Sequence, residues 1–123
     1  MAGKIIADTI ETGAGADIST SYVVNGSLKA HVLATNAAVL DGDNDLNISS
    51  GSDDGTGDYT INLTSAMSGS RYVISGSPES TNDRGFVFDS ATSTSFAIEI
   101  HNTSGTLTDP TDGFSSIVAG DLA

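Results

Sequence analysis

Any chemistry in this chain must come largely from carboxylates, because few other reactive groups are present. Residues 40–50 read LDGDNDLNISS, with Asp41, Asp43 and Asp45 at alternate positions. That is the spacing with which calcium-binding loops begin, and three hard oxygens so placed suit one Ca²⁺ ion. The pattern stops there. The sixth position is Leu46, where the sharp turn needs Gly, and the twelfth is Ser52, where a bidentate Glu belongs. A solvated acidic turn accounts for the same residues, since Asp and Asn favour turns for backbone reasons alone. Asp53, Asp54 and Asp58 in SDDGTGD read in the same way. Asp41, Asp43 and Asp45 are therefore weak candidates for a Ca²⁺ site, and no other cofactor is expected.

The only histidines are His31 and His101, each on an expected strand at or near its polar face. A catalytic role would need a nucleophile or carboxylate beside one of them. They read instead as surface or interface residues. Serine is abundant, but no Gly-x-Ser-x-Gly elbow occurs. TGAGAD offers Gly13 and Gly15 without the third glycine of a dinucleotide fingerprint or a helix to follow. Cysteine is absent, which excludes thiol chemistry and disulfides together. An enzyme is not expected.

The elements that would position these residues are strands. In GDYTINLTS the set Tyr59, Ile61 and Leu63 faces one way and Thr60, Asn62 and Thr64 the other; in TSFAIEIHN, Phe96, Ile98 and Ile100 face inward. RYVISG and RGFVFD read as further strands, with Val73 or the Tyr72/Ile74 pair inward and Phe86 and Phe88 on one face. The clusters SGSDDGTGD, SAMSGS, GSPESTND and NTSGTLTDPTDG read as turns between them. Strands at such intervals with no helix between predict an all-β chain, an antiparallel sandwich or barrel, with a jelly-roll-like sandwich as the expected form. VVNGSL predicts a two-residue hairpin at Asn25-Gly26. Residues 1–24 differ, because their scattered apolar positions cannot close a core. They are expected to form an extended arm, with Ile5, Ile6 and Ile10 docking it to something else, ahead of a compact domain at 25–123.

Composition points toward company. Leu, Ile, Val and Phe number 28 of 123 residues, little above the roughly 20% below which disorder is expected. A core so thin gains from being shared with identical copies. Sixteen acidic residues against four Lys and Arg give a net charge of −12. That argues against nucleic acid and anionic membranes as partners, and no run is long and apolar enough for a membrane-spanning helix. The opening MAGKIIADTIETG lacks the apolar segment of a secretory signal. Among so many acids, Arg71 and Arg84 are expected to pair with carboxylates.

Three stretches carry a resemblance: GKIIADTIETGAGADISTSYVVNGSLKAHV, then GTGDYTINLTSAM, then NTSGTLTDPTDGFSSIVAGDL. In that order, and most specifically in YVVNGSLKAHV and GTGDYTINLTSAM, the chain resembles short fibre proteins and fibre tips of tailed phages of marine bacteria. The resemblance covers nearly the whole chain. It implies a virion surface protein assembled in the bacterial cytoplasm, a homotrimer, with other capsid or tail proteins as partners and no catalytic residue. Where that group usually has an aromatic after Lys-Ala, this chain has His31. Lys29 is then expected to meet a carboxylate across a subunit boundary, and His31 to lie near the trimer axis. A trimeric appendage or capsid decoration protein is the first reading of function. A receptor-binding fibre tip, recognising a bacterial surface glycan or protein, is the alternative.

Overall fold

A computed structural model describes residues 9–11, 17–19, 24, 26–40, 42, 45–80 and 83–123. Nine strands form among the described residues: β1 (Thr9–Glu11), β2 (Asp17–Ser19), β3 (Leu28–Thr35), β4 (Ile48–Gly55), β5 (Asp58–Leu63), β6 (Val73–Glu79), β7 (Arg84–Ala91), β8 (Ser95–Asn102) and β9 (Gly113–Ala119). β1 and β2 pair with each other, with Ile10 opposite Ile18. The other seven make two antiparallel sheets, one of order β3-β9-β6 and one of order β4-β5-β8-β7. The chain is an all-β sandwich. The four-stranded sheet is two hairpins, β4–β5 and β7–β8, laid side by side. That connectivity differs from the eight-stranded double Greek key of the jelly roll expected from the sequence.

Alternation decides which side chains enter the core. Tyr59, Ile61 and Leu63 on β5 and Phe96, Ile98 and Ile100 on β8 are buried, and their neighbours along each strand are only partly so. From the other sheet come Ala30, Val32 and Ala34 of β3 with Phe114 and Val118 of β9. The Tyr59 and Phe114 rings meet between the sheets, with centroids 4.8 Å apart and planes tilted by 42°, a favourable aromatic geometry. The Tyr59 hydroxyl donates to the Asn36 carbonyl at 3.0 Å. Asp109 Oδ1 lies 3.3 Å from the same hydroxyl and accepts the Gly57 N–H at 2.7 Å. Burial and that carboxylate push the Tyr59 hydroxyl well above its usual range, so it is held as a donor.

Three expectations are corrected. SGSDDGTGD is not mainly a turn: most of it is β4, an edge strand whose side chains are chiefly exposed Ser and Asp. GSPESTND likewise contributes its first four residues to β6, where Pro78 stands opposite Phe114. Proline is tolerated there because β6 is an edge strand. At the Asn25-Gly26 hairpin, Asn25 lies outside the described residues, while Val24 and Gly26 have helical backbone. The next strand starts at Leu28 and pairs with β9. Of the alternatives at RYVISG, Ile74 turns inward and Val73 is 68% exposed.

Gly76 positions the edge where β6 and β7 lie together. A Cβ on it would stand 2.5 Å from the Phe86 ring and 2.5 Å from the Ser115 carbonyl oxygen. The missing side chain lets Phe86 cross from β7 onto β6. Beside it, Ser116 is buried opposite Val32 and Gly76, and its hydroxyl has no hydrogen-bond partner among the described residues.

Candidate functional site

The two sheets present different outer faces. On the four-stranded sheet, Asp58 is paired in register with Glu99, and Val87 stands on the other side of Glu99. Burial first, then the charges of Asp54, Glu99 and Asp89, raise the Asp58 carboxyl above its usual range. Asp54 is held below its usual range by hydrogen bonds from the Ser52 and Thr60 hydroxyls, the first of which is 2.5 Å. This face is strongly acidic. No group of three or more potential metal ligands is brought together among the described residues.

His101 belongs to this acidic sheet. Its Nε2 lies 2.8 Å from Glu99 Oε2, and its Nδ1 lies 3.0 Å from the Gly105 carbonyl oxygen. Both ring nitrogens therefore face acceptors, a setting that favours imidazolium, and the Gly105 carbonyl followed by Glu99 raises the His101 pKa above 6.5. With both nitrogens engaged, the ring ties the 102–106 turn to β8 and has no free position for proton abstraction. The Glu99–His101 pair was legible as two outward positions two apart on one strand, but the Gly105 contact was not.

The outer face of the three-stranded sheet carries no carboxylate until Glu79 at the end of β6 and is called the neutral face below. Inward positions of β3 and β9 are fixed by Ala30, Val32, Ala34, Phe114 and Val118, so alternation turns His31, Leu33, Ser115 and Ile117 outward. Register aligns Leu28, Ala119 and Val73 in one row and His31, Ile117 and Ser75 in the next. Leu46 extends that second row through a bridge to His31 on the side of β3 away from β9. Leu28, Leu46 and Leu122, 44–45% exposed, line a hollow of about 490 Å³ with Lys29, Asn47 and Thr64.

The sequence candidates fall as follows. Ile5 and Ile6 lie outside the described residues, as do Asp41 and Asp43; Ile10 is on β1. Asp45 lies between β3 and β4, where its carboxylate accepts the Leu33 N–H at 2.9 Å and the Gly42 N–H at 3.3 Å. Together with the His31–Leu46 and Thr35–Val39 backbone bonds, this covers the free edge of β3, one of the ways sheet proteins block unwanted pairing. Lys29 is 8% exposed and donates to the Val24 carbonyl and, at 2.8 Å, to Ser27 Oγ. His31 is half-buried on the edge strand β3, beside Ile117 on the neutral face. The expected carboxylate partners of Arg71 and Arg84 are not found among the described residues, where the one ion pair is Glu99–His101. Arg84 instead donates to the Asp83 carbonyl at 3.3 Å. Arg71 lines a shallow hollow with Tyr72, Val73 and Phe88.

Comparison with protein-family models, with curated proteins and with solved structures returns no match.

Proposed function

We propose that this chain is a non-enzymatic structural protein of a tailed-phage virion, a homotrimeric surface appendage or capsid decoration protein. One observation supports the multi-copy part of the reading. Among the described residues, ten apolar side chains larger than alanine are buried in the core and ten large apolar side chains are 38–68% exposed. A monomer with a core this small gains stability by covering part of that surface with copies of itself. The two segments most like the phage fibre group fall on different sheets of the sandwich. YVVNGSLKAHV runs into β3 on the neutral face, and GTGDYTINLTSAM spans the β4–β5 turn, the central strand β5 and buried Met67.

The test is to quantify the protein on purified virions by mass spectrometry against labelled peptides. Hundreds of copies per particle are expected of a decoration protein, and a few trimers of an appendage. Purified particles without the chain would contradict the reading. Binding of the isolated protein to bacterial cells would move the assignment to a receptor-binding fibre tip.

A further inference from the structure

The outer face of the three-stranded sheet is left exposed among the described residues, and three features of it point to one occupant. The first is charge. From the Leu28–Ala119–Val73 row to the Leu33–Ser115–Ser77 row, no outward side chain is a carboxylate, in a chain carrying sixteen acidic residues and a net charge of −12. Its acids lie at the margins: Glu79 at the far end of β6, Asp45 bonded to the edge of β3, and Asp121 beyond β9. The second is exposure. Val73 is 68% and Ile117 46% exposed, and both point outward from the middle and edge of the sheet. The third is continuity, since the face runs through Leu28 and Leu46 into the hollow that Leu122 and Lys29 share.

We infer that this face, centred on Ile117 and flanked by Val73 and Leu28, is the surface through which a second copy of this chain is bound. The inference rests on the multi-copy reading above and specifies its contact. For two chains of this charge, approach through almost any other surface sets carboxylate against carboxylate, which costs several kcal/mol when desolvated. The Asp54, Asp58, Asp89 and Glu99 face could not be buried in that way. Approach through the neutral face buries valine, leucine and isoleucine and leaves the acidic sheets pointing outward into water. Lys29, the one cation among the described residues lining the hollow, has its ammonium hydrogen-bonded within its own chain to Val24 and Ser27.

The experiment is the molar mass of the full chain by sedimentation equilibrium at micromolar concentration. It compares wild type with Ile117→Glu, with Val73→Glu at the more exposed edge position, and with Val87→Glu on the opposite sheet as control, each checked by circular dichroism. Wild type and Val87→Glu are expected to sediment as assemblies. Ile117→Glu and Val73→Glu are expected to keep the β spectrum and weaken association by roughly a hundredfold or more. Should Ile117→Glu misfold, Val73→Glu decides by the same readout. If the folded face variants keep the wild-type mass, this contact is wrong while the multi-copy reading stands. If wild type itself has the mass of one chain, both fall.

Discussion

At the scale of single residues, the best-defined polar arrangement outside the core is His101 between Glu99 and the Gly105 carbonyl. Both acceptors favour the protonated ring, so its folded pKa lies above the unfolded value. The linked stability is therefore present in full below pH 6.5 and is lost as pH rises through the higher folded value. Urea denaturation at a series of pH values should show this decline, and His101→Gln should flatten it. A wild-type profile unchanged through that range would mean that the bridge does not form in solution. Sequence alone showed Glu99 and His101 on one side of a strand, which is a property of alternation. It did not show the Gly105 contact, which depends on how the 102–106 turn curls back. Asp45 illustrates the same limit. Its place in an acidic loop was legible, but its bond to Leu33, twelve residues away, depends on the fold of the whole loop.

At the scale of elements, legibility followed position in the sheet. β5 and β8 are central strands with one side against the core, so Tyr59, Ile61, Leu63 and Phe96, Ile98, Ile100 alternate cleanly. β4 and β6 are edges. Solvent on one flank allows Ser, Gly, Asp and Pro, and these residues read as turns. β9 was missed for a different reason: Ser116 takes an inward position and Ile117 an outward one, which breaks the pattern that GFSSIVA would otherwise show. Gly76 gives the element-level prediction. Gly76→Ala forces a methyl against the Phe86 ring and the Ser115 carbonyl, and overpacking of this kind typically costs about 1–3 kcal/mol. A denaturant midpoint lowered accordingly, with m unchanged, is expected. An unchanged midpoint would show that β6 and β7 have slack where the structure has contact.

At the scale of the whole molecule, the sandwich divides its burdens between two surfaces. The four-stranded sheet carries a field of carboxylates, and the three-stranded sheet carries exposed valine, leucine and isoleucine with no charge between them. Composition indicated the shortage of apolar mass, but it could not show that Leu28, Val73 and Ile117 would be aligned on the sheet without acids. That required register, which aligns Val73, Ala119 and Leu28 from three distant parts of the chain. The account stands on folding being coupled to association, and linkage tests it directly, because whatever binds only the folded chain raises its apparent stability. The decisive measurement is the urea midpoint of the wild-type protein over a hundredfold range of concentration. Coupling predicts a midpoint that climbs with concentration, as the stability of the assembly rises by about 1.4 kcal/mol per tenfold for each association step. A midpoint that stays fixed across the whole range would contradict it.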